Sequence, residues 1–180
     1  MVRYEDRLNL IWCPGEVPEG ERVRLETSGE YVLEAVASIE EHRPSHLAEE
    51  QPELHQELAR LDSKLQLVLE LVAQLRKPPD DANTKPRRNV IFSADQVEFE
   101  SADDEEAPRD AEGILKVFLH PAIPEPLALP GRISDVSRRD ETVFATLKPC
   151  EGRWLFREPL SRHVFRHHRR QVAASRAGES

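Results

Sequence analysis

The feature that most constrains this chain is a run of apolar residues between Pro52 and Lys77 that keeps one spacing throughout. Leu54, Leu58, Leu61, Leu65, Val68, Val72 and Leu75 follow one another in alternating steps of four and three. This is a heptad repeat with Leu58, Leu65 and Val72 at a and Leu54, Leu61, Val68 and Leu75 at d. Pro52 suits a first helical turn, Arg76 and Lys77 suit the negative end of the helix dipole, and Pro78-Pro79 stops the helix. At a rise of roughly 1.5 Å per residue the element is about 39 Å long. A helix lying on a globular surface drifts toward about 3.6 residues per turn, so this strict 3.5 repeat predicts a coiled coil.

Leu67, Leu69 and Leu71 add apolar positions at c, e and g, which makes the face too wide for a two-stranded seam. Burying one leucine stabilises by roughly 1.5–3 kcal/mol, so leaving three in water is costly. Either a preceding helix over 28–43 covers them or the bundle has more than two strands. The sequence therefore predicts a homo-oligomer, a trimer or a tetramer. Its seam is Leu54, Leu58, Leu61, Leu65, Val68, Leu69, Val72 and Leu75. The e and g charges do not set the orientation, because a parallel pairing opposes Glu57 with Asp62.

Around this helix the pattern switches to short β runs. Residues 4–13 alternate Leu8, Leu10 and Trp12 against Arg7, Asn9 and Ile11. Pro14-Gly15 and Pro18-Glu19-Gly20 read as a loop. Further strands are predicted at 89–93, 97–100, 113–119, 127–136 and 142–147. A C-terminal helix is expected over 158–176, with Leu160, Val164, Phe165 and Val172 on one broad side. The layout is a first strand and loop in 1–27, a helical insertion in 28–77, further strands in 86–157 and an arginine-rich helix in 158–176. The expected fold class is mainly β with added helices: a small antiparallel barrel, since closure removes exposed edges, plus a long coiled-coil helix and a C-terminal helix. Acids at Asp103, Asp104, Glu105, Glu106 and Asp110 read as a solvated loop.

A net charge of −9 argues against a general nucleic-acid or anionic-membrane binder. No window is long and apolar enough to span a bilayer, and the start lacks the basic and apolar regions of a signal peptide, so a cytoplasmic location is expected. Cys13 and Cys150 have no metal-ligand spacing and read as free thiols. No nucleophile motif, phosphate-cradling glycine loop or pair of catalytic carboxylates appears, so the chain is not expected to be an enzyme.

Arg153, Arg157, Arg162, Arg166, Arg169, Arg170 and Arg176 crowd the stretch from 153 to 176 together with His163, His167 and His168. Arginine matches phosphate bidentately, which suggests an anion-binding face; arginines paired with acids of the barrel are the alternative given more weight. His163 and His167 share a helical face, but no cysteine or carboxylate lies one turn further along as a third ligand, so no metal site is expected.

The β-rich half and the ending Phe165-Arg166-His167-His168-Arg169-Arg170 resemble the PilZ domain family, in particular its atypical tetramer-forming branch. That branch inserts a heptad helix after the first strand and ends on a similar Phe-Arg-x-His-Arg-Arg run. The resemblance implies a six- or seven-stranded barrel, favours a tetramer over a trimer, and implies a role in bacterial cyclic di-GMP signalling. Typical receptors of the family carry an RxxxR pair before the barrel and a [D/N]xSxxG turn that reads guanine. Here the corresponding turn is Ile91-Phe92-Ser93-Ala94-Asp95-Gln96, in which Ser93 alone matches. Ile91 cannot hydrogen-bond a base, and Gln96 brings a side chain where glycine leaves room. Arg3-Tyr4-Glu5-Asp6-Arg7 has the RxxxR spacing, with Arg7 inside the first strand.

The ligand candidates are thus Arg3, Arg7, Ser93, Arg166, Arg169 and Arg170, with cyclic di-GMP binding expected to be weak or absent and no other cofactor expected. The leading reading is an oligomeric scaffold or adaptor acting through a protein partner. A receptor using non-standard arginines comes second, and a nucleic-acid binder acting through the last helix comes third.

Overall fold

In the computed structural model, the described residues are 2–40, 56–57, 60–61, 63–65, 67–68, 87–103, 105–150 and 152–178. Six strands are placed among them: β1 (Tyr4–Pro14), β2 (Arg88–Phe92), β3 (Val97–Ser101), β4 (Glu112–Phe118), β5 (Leu127–Arg139) and β6 (Thr142–Lys148). Two long helices accompany them, α1 (Glu19–Glu40) and α2 (Arg157–Gly178). The strands close into a barrel in the order β1-β2-β3-β6-β5-β4, with every pair antiparallel. The mainly-β barrel with added helices is the architecture expected from the sequence.

β1 closes the barrel because it is long enough to pair twice. Tyr4 to Leu8 pair with Phe92 to Arg88 of β2, and Asn9 to Pro14 pair with Phe118 to Gly113 of β4. The inner face follows the period-two rule: Leu10 and Trp12, Val90 and Phe92, Val97 and Phe99, and Leu115 and Val117 are all buried. Gly113 and Gly131 sit opposite each other in the β4–β5 pair. A Cβ on Gly113 would meet the Cys13 carbonyl at 2.5 Å and the Trp12 ring at 2.7 Å, so the bare backbone is what lets Trp12 lie there.

Helix α1 begins well ahead of the expected Ser28. Its first bond runs from the Arg22 amide to the Pro18 carbonyl (2.9 Å), so Pro18 opens the helix where the sequence suggests a loop. Glu19 and Glu21 then complement the positive end of the dipole. The inner face is Glu26, Gly29, Val32, Leu33 and Val36, laid on β5 and beside α2. Glu26 is buried because its Oε2 accepts the Leu155 amide (2.6 Å) at the approach to α2. Trp154 and Phe156 stack at 5.9 Å under this helix, and the Trp154 indole donates to the Pro130 carbonyl (2.8 Å).

Gly29 is where α1 touches Phe156. A Cβ there would stand 2.9 Å from Phe156 Cδ1 and 3.2 Å from Leu127 Cδ1. Gly29→Ala gains up to about 1 kcal/mol of helix propensity. Overpacking costs about 1–3 kcal/mol and outweighs that gain. The expected net is a melting temperature lower by about 2–4 °C, read by thermal denaturation.

The acidic loop is a folded turn. Asp103 Oδ1 accepts the amides of Glu105 and Glu106, and Glu106 in turn accepts the Ala102 amide and both bonds of the Arg88 guanidinium. Glu106 is thereby held below the ordinary carboxylate range, its partners outweighing the burial that pushes it up.

In the heptad segment, residues 56–57, 60–61, 63–65 and 67–68 are helical. Leu61, Leu65 and Val68 are each more than half exposed in the single chain, as is Leu67. Leu54, Leu58, Leu69, Val72 and Leu75 lie outside the described residues.

Candidate functional site

Two places hold the residues singled out in the sequence. The first is the β2–β3 turn. Ser93 is buried, its hydroxyl donates to the Gln96 carbonyl (2.8 Å), and its amide bonds the same carbonyl (3.0 Å). The Gln96 amide returns a bond to Ser93 Oγ (3.2 Å). Asp95 is paired with Arg157, whose Nε lies 2.5 Å from Oδ1. That guanidinium holds the Asp95 carboxyl below its usual range. An open pocket of about 450 Å³ adjoins the turn, lined by Val2, Ala94, Asp95, Ser161, Arg162, Val164 and Phe165.

The second place is where the end of α1, the middle of α2 and the start of β1 meet. Glu40 receives Arg166 Nε (3.3 Å) and Arg170 Nη1 (3.4 Å) on Oε2, and His167 Nε2 on Oε1 (2.9 Å). Burial alone would push the Glu40 carboxyl up; the His167 hydrogen bond and the surrounding positive charge outweigh it, and its pKa ends below the ordinary value. His163 is buried beneath, its Nε2 in a 2.7 Å hydrogen bond with the Tyr4 hydroxyl. Burial, then the neighbouring charge of His167, pushes the pKa of His163 down to about 3. Tyr4 stacks on His167 at 4.7 Å and on Phe92 at 5.2 Å, and its own burial raises the phenol well above 10.

The inner face of α2 is thus Leu160, His163 and Val164, continuing from Phe156 just ahead of it, with His167 at its margin. Phe165 and Val172, expected to face inward, are exposed. Arg169 lies over the Phe165 ring at 6.0 Å on that outer side. The imidazoles take the inner positions because the Tyr4 hydroxyl and the Glu40 carboxylate are there to bond them.

The remaining candidates stand apart. Arg7 lies on β1 and donates to the Arg87 carbonyl (3.3 Å), while the Arg3 carbonyl accepts His168 Nδ1 (2.8 Å). Arg166 and Arg170 pair with an acid of α1, and Arg162 pairs with Glu158 of its own helix (2.8 Å). The acids that hold these arginines are therefore mostly helical ones rather than barrel ones. Glu40 carries no signal beside His163 and His167 in the sequence, because spacing along one helix cannot reveal a carboxylate that arrives from another.

A family model described as the atypical PilZ domain, cyclic di-GMP receptor, matches residues 33–177. The chain belongs to this atypical PilZ domain family. Among solved structures it is similar to a pathogenic protein from Xanthomonas campestris described as a new tetrameric PilZ domain self-assembled via an unusual helical bundle. The two share 24% identity with a TM-score of 0.72, over 96% of this chain and 91% of the other, a likeness of fold. No curated protein matches the sequence. Among the described residues no helix is long and apolar enough to cross a membrane.

Proposed function

We propose that this protein is a non-enzymatic, homotetrameric PilZ scaffold that acts in the cytoplasm on a protein partner, in a cyclic di-GMP-controlled process such as motility or surface attachment. The observation that carries this reading is the closed β2–β3 turn. Ser93, the one match to the guanine-reading motif, spends its hydroxyl on Gln96, and Asp95 is held by Arg157. Ile91 and Gln96 offer no replacement, and guanine polar atoms left unpaired on binding would cost about 1–3 kcal/mol. Exposure of Leu61, Leu65 and Val68 supports assembly through the heptad helix, as does the tetrameric assembly described for the structural neighbour. Pairing of Arg157, Arg162, Arg166 and Arg170 with carboxylates weighs against a nucleic-acid face.

Isothermal calorimetry with cyclic di-GMP tests the reading. The expected dissociation constant is weaker than about 100 μM, or about −5.5 kcal/mol. One observation favours the second reading, a receptor built on non-standard arginines: the open pocket joins the N-terminal segment at Val2 to the turn at Ala94 and Asp95. Micromolar binding lost in Arg3→Ala establishes that receptor and removes the scaffold reading.

A further inference from the structure

We propose that Glu40, His163 and His167 form a binding site for a divalent transition-metal cation of the zinc, cobalt or nickel class, which ties the end of α1 to the middle of α2. One ligand atom from each of the three lies within 4.8 Å of the other two. Two imidazoles and a carboxylate are the donor set such metals take, and a tetrahedral ion needs only modest closure of this triangle. The set is assembled from distant parts of the chain, since the bond between His167 and Glu40 spans 127 residues.

A second, independent observation points to the same place. His163 is only 2% exposed, and its Nδ1 is buried without a hydrogen-bond partner among the described residues. A buried orphan of this kind normally has an explanation, an ion among them. Its other nitrogen, Nε2, is held by the Tyr4 hydroxyl at 2.7 Å, the outer partner that typically fixes the ring of a metal-binding histidine.

Arg166 and Arg170 set the character of the site. Both address Glu40 Oε2, and they leave Oε1 facing His167. A cation entering between the Glu40 carboxylate and His167 Nε2 replaces the two contacts that His167 makes with Oε1 (2.9 Å) and Oε2 (3.2 Å) and keeps both arginine ion pairs as an outer shell. The two guanidiniums repel it and lower its affinity. Magnesium and calcium, which take oxygen ligands, do not fit a set with two imidazoles.

The test uses the full chain stripped with a chelator and titrated with Co²⁺, then Zn²⁺. The expected result is a visible ligand-field band for one Co²⁺ per chain, removed by Zn²⁺, together with a melting temperature raised by roughly 5–10 °C at hundredfold excess over the dissociation constant. Glu40→Gln and His167→Gln, each checked for β content by circular dichroism, should weaken binding beyond the roughly 10–100-fold typical of losing an outer-shell partner. His167 is partly exposed, so its variant keeps the test sound if Glu40→Gln does not fold. Absence of the band at about 1 mM Co²⁺, or a band unchanged in the folded variants, overturns the proposal. The second outcome would place the metal elsewhere in the chain.

Discussion

Replacing Leu61 and Leu65 together by serine should separate the proposed tetramer into single chains and leave the barrel intact. Both side chains are more than half exposed in the isolated protomer, so nothing in the barrel depends on them. In a bundle each is worth roughly 1.5–3 kcal/mol of burial, so a double substitution removes about 3–6 kcal/mol from every protomer. That is a shift of two to four powers of ten in association for each chain contributed, at about 1.4 kcal/mol per decade. Sedimentation should read the unsubstituted protein as a tetramer at micromolar concentration and the variant as a monomer. The barrel's β signal and its thermal transition should be unchanged. A monomeric unsubstituted protein would remove the coiled-coil reading altogether.

Strands β2, β3 and β4 are legible in the sequence because each half-buries a period-two pattern that few other structures satisfy. Val97 and Phe99 alternate with Glu98 and Glu100, and the burial of β3 follows suit. The start of α1 is not legible, for a physical reason. The first two buried positions of its inner face are Glu26 and Gly29, and neither registers as apolar, so periodicity becomes visible only at Val32. Pro18 and Gly20 have the character of loop punctuation but are compatible with a helix start; Gly20 meets open space and Pro18 supplies the first carbonyl. The face of α2 misleads in the same way. Phe165 and Val172 are apolar and lie outside, whereas His163 is polar and lies inside, because its bonding partner is on β1. A helix shows its own spacing in the sequence but not which long-range carboxylate or hydroxyl will satisfy a buried imidazole. Glu40 looks like any solvent-facing helix glutamate until α1 and α2 are set side by side.

Acidification of the metal-free protein should cost stability well before the bulk of its carboxylates titrate, and His163 is the residue responsible. In the unfolded chain this imidazole takes its proton near pH 6.5; in the folded chain it does so only at about 3. Between these values the unfolded state holds one more proton, so stability rises with pH across the window and falls as pH drops. One proton corresponds to about 1.4 kcal/mol per pH unit, so by pH 4.5 roughly 2–3 kcal/mol is lost. Glu40 acts in the same direction lower down. Its folded pKa lies below the ordinary 4.5, so its contribution is fully present above that value and disappears as pH falls through the lowered one. At that point the carboxylate stops answering Arg166, Arg170 and His167 across the α1–α2 junction. Urea titrations in a chelating buffer from pH 7 to 4.5 should give this slope. In His163→Gln the dependence between pH 6.5 and 4.5 should flatten, whatever the variant's absolute stability. An equally steep slope in that variant would mean that other groups carry the titration and that the buried imidazole is not what sets acid sensitivity.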